Sequence, residues 1–501
     1  MDDRLRALAN LSVAEVREYG GRHEYDGEIQ DLSPDGVARG LAALGGGEPD
    51  PDPYDEAVLR AFEDNARVVF GELEFHRSNP LYHVGNLDIA GYDREYAPPA
   101  ERADARRRHL AKWPDAIDAA VAALDRVTRP VAEATLMAVR GLAGGLDAGV
   151  EVEGQALAAL DRLVAHVEQA AAAGDPDAAL GAAALARYLG AAESTEVGIE
   201  ALSALADTER DRLRQLLDDA CQRIGPGRET AEIVAELLRD HPDADGVLAE
   251  AREMTEEVLA WTREHDLAPY HDGECLVGPA PESRRWAMAM MSWAAPGEPE
   301  APSWYHVTPP DSSWPAPEQE EWLATFSRTT LPAITVHEVA PGHFSHGRAL
   351  RHASTEVRQL LVSGSFAEGW AHYVEEVAVE EGFRAADPRF AAGVAIEALV
   401  RVTRLACSIG LHTGAMTVDD AAARFTADAF LQGPAAMSEA RRGTFDPGYG
   451  RYTWGKLAIS DLRVKARTAW GDEFSLPRFH KAMLDLGSPP LGLLDTAIER
   501  G

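Results

Sequence analysis

From residue 1 to about residue 270 the apolar residues return every three or four positions in one segment after another, which confines this part of the chain to amphipathic helices. Ser33 and Pro34 supply an N-cap and a proline at the first helical position, and the glycines from Gly45 to Gly47 stop the helix they begin. The spacing then predicts helices near 57–75, 101–125, 131–142, 152–173, 178–189, 197–224, 229–238 and 245–265. The Gly-rich patch from Gly141 to Gly149 and the turn at Gly225 to Gly227 read as linkers within one helical lobe, and no repeat of constant period is present. Asn79, Pro80, Asp88 and Tyr92 read as a satisfied loop more readily than as a cleft lining.

Near Pro269 the texture changes to glycine, proline and aromatics. An N-terminal helical lobe, 1–268, is therefore expected to be followed by a second lobe, 269–501, within one continuous unit. Arg285 to Ser292 and Trp304 to Thr308 read as extended. A short edge strand there would offer unpaired backbone groups to a peptide. His306 on the second of these segments faces either a cleft or, as is commoner for a strand histidine, a half-buried side. Further helices are expected at 387–413, 418–431, 435–442 and 451–467.

The chemistry concentrates between Val336 and His346, in VHEVAPGHFSH. In the zinc-protease pattern HExxH, two imidazoles one turn apart share a helix face and the glutamate acts on metal-bound water. Here His337 and Glu338 supply the first half, but His343 comes six positions after His337 rather than four. On a regular helix that offset turns the second imidazole roughly 120° away from the first. Pro341 lacks the N–H that would close the turn and Gly342 tolerates unusual dihedrals, so the helix is expected to widen or break between Val339 and Gly342. His343 then swings back beside His337. A rival pairing of His343 with His346 also lies on one face and stays open on spacing alone.

A second block, FAEGWAHYVEE, places Glu368 on a later helix, after an expected turn at Ser363 to Ser365. Two imidazoles and one carboxylate leave a fourth position open, the arrangement of a catalytic zinc rather than a structural one. His372 and Glu375 follow one and two turns after Glu368 and can face the same side. Glu375 is a candidate acceptor for a ligand imidazole's second N–H, whereas Glu376 reads as a solvated surface charge.

HEVAPGH, EGWAHYVEE, IGLHTG at 409–414 and DPGYGRYTWGKL at 446–457 occur in the order seen in the bacterial family catalogued as domain of unknown function 885, which the chain resembles over most of its length. That family is regarded as zinc-metallopeptidase-like, with an HExxPGH motif similar to a modified gluzincin site. The resemblance implies a mainly α, two-lobed helical metallopeptidase-like fold, with a small β-sheet beside a deep active-site cleft. One departure is His346, where many members carry glutamine.

The expected activity is therefore zinc-dependent hydrolysis of amide bonds in short peptides, of carboxypeptidase or oligopeptidase type. One Zn2+ would be held by His337, His343 and Glu368, with Glu338 as general base. Tyr452, or failing it Tyr449, would supply a phenol to the oxyanion. His412 reads equally as a supporting group or a helix cap. Arg401, Arg404, Arg442 and Arg451 are candidates to hold a substrate carboxylate. Two other readings stay open: a metal-dependent enzyme acting on a non-peptide amide or natural-product intermediate, and a non-catalytic helical binding protein with a vestigial site.

Charge narrows the partners. The formal net charge is -35, and lysine occurs only at positions 112, 456, 465 and 481. Such a surface repels phosphates, so neither nucleic acid nor an anionic membrane is an expected partner. Cys221, Cys275 and Cys407 show no CxxC spacing and read as free thiols in a reducing compartment. With no signal-peptide pattern at MDDRLRALANL, a cytoplasmic location is the simplest expectation.

Overall fold

The structure, a computed structural model, describes residues 1–281, 284–285, 287–298 and 300–501. It is mainly helical with a small three-stranded sheet. The expected periodicity is realised in long helices such as Pro99–Ala123, Glu151–Ala173, Ile199–Ile224 and Val247–Glu264. The Pro34–Ala43 helix starts where Ser33 accepts a hydrogen bond from the Gly36 N–H. No described helix is long and apolar enough to cross a membrane.

Strands β1 (Cys275–Gly278), β2 (Ala289–Ser292) and β3 (Ser303–Val307) lie in the order β1-β3-β2, with β1 parallel and β2 antiparallel to β3. The extended reading from Arg285 is realised only from Ala289, and Trp286 lies outside the described residues. The strand expected to offer a free edge before the histidine segment, β3, is instead central. Its backbone groups are engaged on both sides, and the edges of the sheet are β1 and β2. Tyr305 on β3 is fully buried, and its hydroxyl lies 3.4 Å from Thr335 Oγ1 on the helix that carries His337. The sheet is thereby tied to the back of the histidine segment.

Three large apolar clusters hold the elements together. One joins Leu59 and Phe70 near the start of the chain to Val258, Tyr305, Val336, Phe344, Trp370 and Phe479. Another packs the Ile199–Ile224 helix against Pro388–His412 and its neighbours, and a third lies within residues 87–167. One crossing sets the site. Gly369, on the helix Gly364–Glu380, lies so close to the helix Arg451–Trp470 that an added Cβ would stand 2.5 Å from Gly455. From Gly455, a Cβ would come within 1.9 Å of the Ser365 carbonyl. Only glycine at both positions lets these backbones touch, and the crossing joins the helix that carries Glu368 to the helix that carries Tyr452.

Candidate metal centre

The helix that delivers His337, Leu331–Glu338, is buried along its whole length and ends at Val339, where the backbone turns to φ -104° and ψ -89°. A second helix, His343–His352, begins after Gly342. Of the two expected distortions, the chain takes the break. The Ala340–Pro341 peptide is cis, and the Pro341 carbonyl accepts a 2.9 Å hydrogen bond from Trp370 Nε1. A Cβ on Gly342 would lie 1.9 Å from the His337 carbonyl oxygen, so the return turn folds directly onto the end of the first helix and needs glycine. The result sets the His337 and His343 rings 4.8 Å apart and nearly perpendicular.

Glu368 comes from the Gly364–Glu380 helix, whose first turn is capped by Ser363 accepting from the Phe366 N–H. Its Oε2 stands 3.4 Å from His337 Nε2 and 3.3 Å from His343 Nε2. Ligand atoms at about 2.0–2.2 Å from a common centre, at tetrahedral angles, stand roughly 3.3–3.6 Å apart. The two separations from Glu368 match that spacing, and all three donor atoms lie within 4.8 Å of one another. Two nitrogens and a carboxylate oxygen are also the donor set that zinc accepts, and these three residues form the one cluster of potential metal ligands among the described residues.

Electrostatics say the same place wants positive charge. Burial alone would raise the Glu368 carboxyl, but its contacts with His337 and His343 take it well below the usual carboxylate range. Burial and Arg401 both pull His337 down, yet Glu368 and Glu375 hold it up at about 9. Glu338 differs, because burial raises its carboxyl above the ordinary value against the pull of His343 and His337. Its Oε2 is buried without a hydrogen-bond partner, as is His343 Nδ1. A carboxyl made more basic and left unpaired beside the three donors is equipped to take a proton.

Behind the ligands stands a second layer. His337 Nδ1 donates to Glu375 Oε1 at 2.6 Å, leaving Nε2 to face Glu368. The other Glu375 oxygen accepts from Arg401 Nη1 at 3.0 Å and lies 3.4 Å from His372 Nδ1. Arg401 is therefore committed to Glu375 and buried, not free for a substrate carboxylate. Arg404 is likewise committed, through two 2.7 Å hydrogen bonds to Glu439. His372 is fully buried and held neutral, its pKa lowered by burial to about 4.

The remaining expected residues divide between the neighbourhood of the three donors and positions away from it. Tyr452 is in place: its ring lies 6.3 Å from that of His337, with the Arg404 guanidinium 5.2 Å over it. Tyr449 is fully buried in the apolar core, its hydroxyl turned toward Gly443, so it does not reach the site. His346 faces away from the other two histidines' meeting point: its Nε2 donates to the Gly487 carbonyl at 3.2 Å, which removes the rival His343–His346 pairing. A glutamine amide would make the same donation. His306 lies against Trp304, with Nδ1 3.1 Å from the Pro279 carbonyl, and His412 Nε2 donates to the Gly443 carbonyl at 2.8 Å; neither approaches the donors. Glu376 is not a free surface charge, since it pairs with Arg212 and the buried Lys456. Arg442 and Arg451 both reach Asp446.

Sequence reasoning missed Trp293, whose ring lies 6.3 Å from His343 and 5.9 Å from His346. Its only signal was its place at the end of an extended segment.

A solved structure from Shewanella oneidensis, described provisionally as a lipoprotein of unknown function, is similar at TM-score 0.76 and 19% identity, over 99% of this chain and 98% of that one. Another from Colwellia psychrerythraea, provisionally described as a lipoprotein, is similar at TM-score 0.79 and 17% identity, over 99% and 96%. At such identities the likeness speaks of the fold alone. None of the curated proteins matches the chain. Residues 16–498 match the family described as bacterial protein of unknown function, DUF885, and the chain belongs to that family.

Proposed function

We propose that this protein is a metal-dependent hydrolase that cleaves amide bonds in short peptides or small amides, with zinc held by His337, His343 and Glu368. The observation that carries the reading is the 3.3–3.4 Å convergence of Glu368 Oε2 on two imidazole Nε2 atoms, with the unpaired Glu338 carboxyl beside them. A bound zinc supplies Lewis acidity to a carbonyl and acidifies water.

This chain's own residues do the rest. Glu338 Oε2 takes the proton of the attacking water and returns it to the leaving nitrogen, a task suited to a carboxyl whose basicity burial has raised. The Tyr452 hydroxyl donates to the carbonyl oxygen as charge gathers there. Glu375 fixes the His337 ring and its tautomer through the 2.6 Å hydrogen bond at Nδ1. Trp293, beside His343, excludes water from one side of the reacting group.

The test is Glu338→Gln, assayed for zinc content and, by mass spectrometry, for products from a mixed peptide pool. The variant should keep one zinc per chain and lose hydrolysis by about two to four orders of magnitude. A variant that hydrolyses peptides as well as the parent would refute the reading.

A further inference from the structure

In a chain of net charge -35, most cationic side chains near the His337–His343–Glu368 cluster have at least one carboxylate each that they do not share with Arg442 or Arg451 in an ion pair. Arg401 pairs with Glu375 and Glu397, Arg404 with Glu439, and Lys456 lies buried between Glu209 and Glu376. Arg442 and Arg451 differ, because the two guanidinium groups share the single carboxylate of Asp446. Each side chain also stays about a quarter accessible, 27% and 26%.

Their placement ties them to the site. Arg442 lies within hydrogen-bonding reach of the Tyr452 phenol, which in turn stands beside His337. Arg451 lies over Gly364, its Cδ 3.5 Å from where a Cβ would be, at the first residue of the helix that presents Glu368 one turn later. One helical turn is about 5.4 Å. On its far side, Arg451 Nη2 and the Tyr188 hydroxyl both come within 3.3 Å of the Cβ that Gly448 lacks. That glycine opens the space in which a guanidinium and a phenol meet.

We infer that Arg442 and Arg451, aligned by Asp446 and joined by the Tyr188 hydroxyl, form an anion subsite for a carboxylate borne on the amine side of the scissile amide. Each guanidinium gives Asp446 a single Nη2 contact, which leaves further N–H donors of both forks for an anion from outside, and a planar carboxylate matches that geometry. The subsite makes the protein an exo-acting enzyme, releasing an amino acid with a free carboxylate. Its location relative to the reaction rests on the hydrolase reading; the binding of an anion does not.

Binding to the metal-free full chain separates the two. Calorimetry with trialanine, trialanine amide and N-acetylalanine should give binding of the two free acids, with the amide weaker by about tenfold or more, the loss of one charge-assisted contact. Trialanine binding more tightly than N-acetylalanine identifies peptides as the source of the carboxylate, and equal binding identifies N-acyl amino acids. Arg451→Met should erase the acid-over-amide preference, whereas Arg389→Met, at a surface arginine paired with Asp387, should leave it unchanged. If Arg451→Met does not fold, Arg442→Gln carries the same expectation. Equal binding of trialanine and its amide, binding of neither, or a preference that survives in a folded variant would overturn the subsite. Acid-selective binding without hydrolysis would retain it and overturn the hydrolase reading instead.

Discussion

Glu375 is not one of the three converging donors, yet it positions one of them: one oxygen holds His337 Nδ1 and the other holds Arg401. Replacing it with glutamine removes the charge that keeps the ring oriented and leaves the buried Arg401 guanidinium with only its longer, 3.5 Å pairing to Glu397. The expected outcome is a zinc affinity lower by about 10–100-fold, read by competition with a chromogenic chelator, together with a loss of folding stability. A variant with unchanged affinity would show that His337 is held by packing alone. At this scale the sequence was informative where residue type and spacing decide chemistry: His337, Glu338, His343, Glu368 and Glu375 meet as their pattern implies. It was less informative for histidines and tyrosines whose partners are distant backbone groups. His346, His412 and Tyr449 are served or enclosed by Gly487 and Gly443, and nothing local distinguishes such residues from site residues.

At the scale of elements, the surroundings of the His337–His343–Glu368 cluster depend on helices brought closer than side chains normally allow. Gly369→Ala would push its helix off Gly455, and an overpacked contact of this kind costs about 1–3 kcal/mol. Chemical denaturation should show that loss. Peptide turnover should fall further than stability alone explains, because Tyr452, on the displaced pair of helices, shifts relative to His337. The loop that starts the Glu368 helix is held by Glu193, which accepts hydrogen bonds from Ser363 Oγ and the Leu491 N–H, both at 3.0 Å. Burial raises the Glu193 carboxyl from 4.5 to about 7 in spite of these bonds. Between those two pH values the folded protein holds a proton that the unfolded chain has released, so stability falls as pH rises through that window and levels off above it. The contribution is on the order of 3 kcal/mol. Melting temperatures at pH 5 and pH 8 should therefore differ more for the parent than for Glu193→Gln; equal differences would contradict the assignment. Helix positions were legible because apolar period and proline or glycine punctuation are local signals. The place of β3 at the centre of its sheet, and the Gly369–Gly455 crossing, depend on segments far apart in sequence and leave no local mark.

Over the whole molecule, 83 acidic side chains face 48 lysines and arginines. Even with every cation paired, a large like-charge excess remains, and it repels over distances that salt controls. The screening length shrinks from about 30 Å at 0.01 M salt to about 8 Å at 0.15 M. Raising ionic strength across that range should raise the melting temperature, since exposed ion pairs contribute too little to offset the relief of repulsion. A melting temperature that falls with salt would mean that paired networks dominate. The mainly helical class and its small sheet could be anticipated from texture and motif order. The way the first 75 residues join the core behind the histidine helices could not, because it needs the three-dimensional partners of Leu59 and Phe70.

The most direct test of the metal cluster is zinc X-ray absorption spectroscopy on the protein loaded with one equivalent. The spectrum should show two imidazoles and a carboxylate oxygen within about 2.0–2.2 Å, and His337→Ala, His343→Ala and Glu368→Ala should each weaken zinc retention. A spectrum without imidazole scattering, or full retention of zinc in all three variants, would place the ion elsewhere and contradict the account.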